Sequence, residues 1–216
     1  MKILSHRGYW VEPHEKNQWV AFERTIACGF GTETDVRDCA GELVISHDPP
    51  TSGALKLDQV LDHFTGTSSG HLPLAMNIKA DGLAPRLAEA FAGRGLDWFV
   101  FDMSFPDMLQ QLKVGNPVFG RMSEYEALPQ DLMGMLRGVW LDAFTSDWFE
   151  ADTIRRLLDQ GLEVCVVSPE LHGRPHQALW EKLQPFNAAE GLMLCTDFPE
   201  EASTLLEVGS DIRAFG

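Results

Sequence analysis

The chain has 216 residues, with 17 Lys and Arg against 32 Asp and Glu, for a formal net charge of −15. That balance argues against long polyanionic partners such as DNA or RNA, whose binding rests on clustered Lys and Arg. It leaves room for a small anionic substrate held by a bound cation and a few local basic groups.

A chain of this length buries roughly 70% of its unfolded surface, so a single domain over 1–216 needs no disulfide. The four cysteines, Cys28, Cys39, Cys165 and Cys195, show no C-x-x-C or metal-finger spacing and read as reduced thiols. The apolar stretch at Met1–Leu4 is too short for a signal peptide, and no run reaches the ~18 apolar residues of a membrane span. A cytoplasmic protein without stable membrane association is expected.

Lys2–Ser5 reads as the first strand and Asn17–Cys28 as a helix, with Gly29 and Gly31 suiting its C-terminal turn. Thr32–Val36 is the second strand, Leu43–Ser46 a short strand beyond the Ala40-Gly41 turn, and Leu57–Phe64 a helix. Leu72–Lys79 is the third main strand, with a helix over Ala84–Gly93; Trp98–Met103 is the fourth, with a helix over Pro106–Val114. Pro117–Arg121 is the fifth, with helical pieces across Glu124–Leu136; Gly138–Asp142 is the sixth, with a helix over Trp148–Gln160. Glu163–Ser168 is the seventh, with a helix over Gln177–Gln184; Gly191–Thr196 is the eighth, with a helix over Pro199–Val208.

Strict β-α alternation means a parallel sheet. Eight such units fit an α/β fold, a single (β/α)8 TIM barrel with a small β-hairpin excursion after the second strand. An open doubly wound sheet would show a Gly-rich loop after the first strand, and here that loop is His-Arg-Gly-Tyr-Trp.

In such barrels chemistry sits where strands end. His6 and Arg7 follow the first strand; Glu33 and Asp35 alternate on the second; Asn77 and Lys79 close the third; Asp102, Asp142 and Ser168 close the fourth, sixth and seventh. A barrel strand has no solvated face, so two carboxylates pointing one way there call for a cation. The remaining candidates have plainer readings. His14, His63, His71 and His176 read as surface or satisfied core residues, Trp140 as barrel filling, and His172 with Arg174 as a solvated loop. Tyr9 and Trp10 read as loop packing ahead of a surface for the substrate's alcohol.

The blocks His6-Arg7-Gly8, Asn17 to Phe22, Glu33-Thr34-Asp35-Val36 and Gly41 to Asp48, in this order and spacing, resemble the glycerophosphodiester phosphodiesterase family. The likeness resumes weakly at Asn77-Ile78-Lys79, Ser104-Phe105 and Thr196-Asp197-Phe198-Pro199. It implies that Glu33 and Asp35 bind Mg²⁺ or Ca²⁺, with Asn77 at the third metal position. It further implies that His6 and His47 act as the acid–base pair, and that Arg7 and Lys79 hold phosphoryl oxygens. Asp102 and Asp142 are candidates for substrate hydroxyls. The expected reaction is metal-dependent cleavage of a small phosphodiester, with a cyclising variant or a weakly active sugar-phosphate-binding barrel as alternatives. The spider-venom phospholipase D toxins resemble the family and share the two-histidine, Glu-x-Asp layout.

Two departures stand out. The family's third carboxylate is Asn77 here, which removes a negative charge from the metal seat. The family's P-E-N-T segment has Lys16 in place of its Glu, within a remodelled Tyr9–Lys16 loop at the mouth.

Overall fold

The computed structural model describes residues 1–51, 53–66 and 71–206. Its main strands are β1 (Lys2–His6), β2 (Gly31–Cys39), β5 (Leu74–Ile78), β6 (Trp98–Phe101), β7 (Phe119–Met122), β8 (Gly138–Leu141), β9 (Glu163–Val167) and β10 (Leu192–Thr196). They run parallel in the order β1-β2-β5-β6, then β7-β8-β9-β10 back to β1. The β6–β7 seam is closed by the Val100–Val118 bridge and by the Val100 N–H bond to Pro117 O at 2.9 Å. The expected (β/α)8 barrel is therefore the fold.

The expected hairpin excursion is also present. β3 (Glu42–Ile45) pairs antiparallel with the far end of β2, and a further short strand, β4 (Leu55–Lys56), pairs with β3. This pairing lengthens β2 to Cys39, beyond the expected end at Val36.

Eight helices follow the strands: α1 (Trp19–Ala27), α2 (Leu57–Thr65), α3 (Ala84–Phe91), α4 (Phe105–Lys113), α5 (Gln130–Met133), α6 (Ala151–Asp159), α7 (Gln177–Leu183) and α8 (Pro199–Leu205) among the described residues. Val208, the expected end of the last helix, lies outside the described residues. Two helices start later than their patterns suggest. Asn17 has φ 59° and commits its side chain to Asp35 and Thr34, so α1 begins at Trp19. Trp148 donates its indole N–H to Asp142 O at 2.6 Å, and α6 begins only at Ala151. The Glu124–Leu136 stretch is mostly turn: Ser123 and Glu126 exchange backbone bonds, and only α5 is helical.

Side-chain alternation along the strands divides the interior into two layers. Leu4, Ala75, Phe99, Phe101, Phe119, Trp140, Cys165, Val167, Met193 and Cys195 fill the lumen. Their alternates, among them Ile3, Leu74, Met76, Val100, Val139, Val164, Val166 and Leu194, pack outward under the helices. Phe99 stacks on Phe119 and Phe101 on Trp140, each with centroids 3.7 Å apart, so aromatic rings make the floor of the lumen. Trp140 is the filling residue its sequence context suggests. The same alternation carries upward: His6 lies two residues past Leu4, Asn77 two past Ala75, Arg121 two past Phe119, Asp142 two past Trp140 and Asp197 two past Cys195.

Candidate active site

His6 ends β1, and its Nδ1 lies 2.7 Å from Asp197 Oδ1, just past β10. A carboxylate can only accept, so Nδ1 carries the proton and Nε2 is the basic nitrogen. Nε2 points to the second strand, 3.9 Å from Glu33 Oε2. Asp197 also accepts from Trp10 Nε1 at 3.3 Å and lies 3.9 Å from Lys16 Nζ. Burial would raise this carboxyl, but the bond to His6 and the charges of His6 and Lys16 hold it below its ordinary value.

Arg7 turns the chain sharply. Its φ of 59° and the φ of 79° at Gly8 aim the Arg7 N–H at Glu33 Oε2, 3.1 Å away. Gly8 is required twice over: a Cβ there would meet Ala21 Cβ at 2.7 Å, and the left-handed backbone disfavours any side chain. Arg7 Nε lies 3.0 Å from Asp35 Oδ2, but off-axis, so the pair is an ion contact rather than an aligned hydrogen bond.

Glu33 and Asp35 are 1% and 0% exposed. Asp35 Oδ2 accepts from Asn17 Nδ2 at 2.8 Å, while Asn17 Oδ1 takes the Thr34 hydroxyl at 2.7 Å. Burial first, then the adjacent Asp35 charge, push Glu33 up to about 7, with His6, Arg7 and Lys79 pulling the other way. Asn77 is paired in register with Asp35. The buried Oδ1 atoms of Asp35 and Asn77 accept no hydrogen bond.

Two buried carboxylates and an amide oxygen, two of their oxygens without a donor, are hard-oxygen groups of the kind that could hold Mg²⁺ or Ca²⁺. Among the described residues no three His, Cys, Asp or Glu side chains converge as a metal-ligating group, so a set that included these two carboxylates would draw on a donor of another type, such as an amide oxygen.

Lys79 Nζ bridges outward, 3.6 Å from Asp35 Oδ1 and 3.5 Å from Asp102 Oδ2. Asp102, at φ 66°, also pairs with Arg121, whose Nε reaches Glu126 Oε2 at 2.5 Å. His6, Arg7, Glu33, Asp35, Lys79 and Asp102 thus form one connected group, with Asn77 in register beside Asp35. A cleft of about 310 Å³, lined in part by Asp102, Phe105, Arg121 and Tyr125, opens beside it. A second, of about 330 Å³, is lined by Tyr9, Trp10, Asp197 and Phe198 among others.

Among the described residues, the side chains of His47 and Asp142 make no hydrogen bond or ion pair with this group. The turn carrying His47 is tied to β2 by the Ser46 N–H bond to Asp35 O at 3.0 Å. The His47 ring is 44% exposed and its Nδ1 lies 3.0 Å from Asp48 Oδ1. Asp142 Oδ1 takes the Ala143 N–H at 2.8 Å and faces His172 Nε2 at 2.7 Å.

The solvated reading of His172 and Arg174 does not hold. His172 is anchored on buried Asp142, and Arg174 donates to Ala143 O at 2.9 Å and pairs with Asp147. Nothing in the local sequence signals these bonds, because both partners come from the preceding β-α loop. Asp197 and Asn17 lie in blocks that carry the family resemblance, but their roles emerge only from the contacts. His176 is a satisfied buried residue, packed on Trp180 between Glu170 and Glu201.

No protein-family profile matches the sequence, and no characterised protein matches it by sequence. Solved structures do match. A glycerophosphodiester phosphodiesterase from Parabacteroides distasonis superposes with a TM-score of 0.69 at 16% identity, covering 95% of this chain and 96% of that one. A glycerophosphoryl diester phosphodiesterase from the same organism gives 0.56 at 12% identity, covering 95% and 86%. A Ca²⁺-dependent phosphatidylinositol-specific phospholipase C from Streptomyces antibioticus gives 0.58 at 12% identity, covering 95% of each chain. At these identities the likeness establishes a shared barrel; the chemistry has to be argued from the side chains.

Proposed function

We propose that the protein is a metal-dependent phosphodiesterase that cleaves a small, soluble glycerophosphodiester-like substrate. The observation that carries this is His6, clamped through Nδ1 by Asp197 and presenting a basic Nε2 to Glu33 on the strand that also bears Asp35, whose Oδ1, like that of Asn77 in register with it, accepts no hydrogen bond.

In this reading Glu33, Asp35 and Asn77 hold a Mg²⁺ or Ca²⁺ ion, which when bound offsets charge on the phosphoryl oxygens. Arg7 and Lys79, which line the same strand ends, would hold phosphoryl oxygens and add fixed positive charge where the transition state gathers negative charge. His6 transfers a proton at Nε2 on one side of phosphorus. His47 serves the other side from its turn beyond β3. Asp102 and Asp142 bind hydroxyls of the alcohol arm.

Kinetics on a glycerophosphodiester panel with Mg²⁺ or Ca²⁺, followed by ³¹P NMR of the product, test the proposal. Wild type is expected to release a phosphomonoester, and His6→Ala and His47→Ala to lose turnover by about 10²-fold or more while staying folded. A fully active His6→Ala/His47→Ala variant would sink the mechanism. A cyclic phosphate product would keep the site but make a substrate hydroxyl the attacking group.

A further inference from the structure

Behind Asp197 lies a second carboxylate that the reaction as proposed does not use. Glu170 sits in the short 3-10 turn Pro169–His172 after β9, and its side chain is only 9% exposed. Its Oε1 accepts the Thr196 hydroxyl at 2.5 Å and the Asp197 backbone N–H at 3.1 Å. Its Oε2 accepts the Ser168 hydroxyl, which itself receives the Trp180 indole N–H at 2.8 Å. His176 Nδ1 stands 3.7 Å from Oε2.

A nearly buried carboxylate is costly unless its lone pairs are filled, and here two hydroxyls and an amide fill them. Two of these donors belong to consecutive residues at the end of β10. Thr196 passes the constraint on, since its hydroxyl oxygen also accepts the Phe198 N–H at 3.0 Å. The backbone on both sides of Asp197 is therefore held from Glu170, and with it the direction in which Asp197 presents Oδ1 to His6.

We infer that Glu170 is a positioning residue: by fixing the Thr196–Phe198 backbone it sets the Asp197–His6 hydrogen bond that holds the catalytic imidazole in its working tautomer. This rests on the proposed role of His6, and it extends that role one layer outward, as outer-shell partners do for ligating histidines. The plainer alternative is that Glu170 simply ties β9 to β10. The two make different predictions for combined substitutions.

The test compares Glu170→Ala, Asp197→Ala, the double variant and Glu170→Gln, in steady-state kinetics with saturating Mg²⁺ or Ca²⁺ and in ¹⁵N-detected NMR of the His6 ring. Glu170→Ala is expected to lower kcat about 10-fold or more with KM within about two-fold, and to lose the His6 Nδ1–H signature. The double variant should be no slower than Asp197→Ala alone, because both changes break one hydrogen bond. Glu170→Gln keeps an acceptor for Thr196 and Asp197 and should stay within about three-fold of wild type.

Multiplying effects in the double variant, an unaltered His6 signal in Glu170→Ala, or a Gln variant as slow as the Ala one would each overturn the inference. Were Glu170→Ala to unfold, the Gln variant and its His6 spectrum carry the test. The NMR arm needs no turnover. A wild type inactive on every diester whose His6 signal still depends on Glu170 would remove the proposed function and leave the positioning intact.

Discussion

Asp35 on β2 and Asn77 on β5 occupy paired register positions, and the buried Oδ1 atom of each accepts no hydrogen bond. Asp35 is balanced by Arg7 and Lys79 and accepts from Asn17, while the Asn77 amide oxygen is left without a partner. On the proposed metal reading, that amide would offer a cation an oxygen but no charge.

Asn77→Asp is therefore expected to act with opposite signs in the metal-free and metal-bound states. Metal-free, it adds a buried anion beside Glu33 and Asp35 and lowers stability by about 1–3 kcal/mol. With divalent cation present it tightens binding by about 10-fold or more, since affinity at such sites rises with ligand charge. Urea unfolding in chelator and calorimetric titration with Mg²⁺ and Ca²⁺ measure the two effects. Weaker metal binding in the variant would show that residue 77 is not in the coordination set.

A pH dependence follows from Glu33. Burial, then Asp35, lift its carboxyl from 4.5 to about 7 in the folded protein. A folded pKa raised above the unfolded one favours the protonated folded state. The contribution is fully present below about 4.5 and is lost as pH rises through about 7. Metal-free protein should lose stability across that window, and Glu33→Gln should flatten the loss. Denaturation midpoints at several pH values, in chelator, give the answer; a variant that falls as steeply as wild type would assign the dependence to another group.

Asp197→Asn tests the clamp on His6 directly. The carboxamide can offer its N–H to Nδ1 and so favour the wrong tautomer. A fall in kcat of about 10²-fold or more with little change in KM is expected. Equal losses in binding and turnover would point instead to a collapsed mouth.

Asn17→Ala removes the donor to Asp35 Oδ2 and the acceptor of the Thr34 hydroxyl in one step. Both groups are buried, so the cost should be about 2–3 kcal/mol in urea denaturation. A loss below about 0.5 kcal/mol would mean that water replaces the amide at both ends.

The strands and their order were legible because lumen and helix-facing positions alternate between two apolar sets, a pattern that survives without knowledge of contacts. His6, Glu33 and Asp35 were legible for the same reason: polar residues interrupt an otherwise apolar face at strand ends. The roles of Asp197 and Asn17 were not. Asp197 lies 191 positions from His6, and only the pairing of β10 with β1 brings them together. Asn17 looked like the start of a helix, and its left-handed backbone is dictated by bonds to β2 that no local pattern encodes. Glu170 and His172 sit on a turn whose partners come from β8 and β10 loops, so their sequence neighbourhood reads as an ordinary polar loop.

The closure of β1 against β10 has a consequence for synthesis. Translation delivers His6 a full 191 positions before Asp197, with every other strand of the barrel in between. A nascent chain that has emerged only through β9 carries the histidine, both β2 carboxylates and Lys79, yet lacks the Asp197 partner of Nδ1 and has an open edge on β1. The Asp197–His6 contact therefore forms only once β10 has paired with β1, so the arrangement around the imidazole is completed together with the barrel itself.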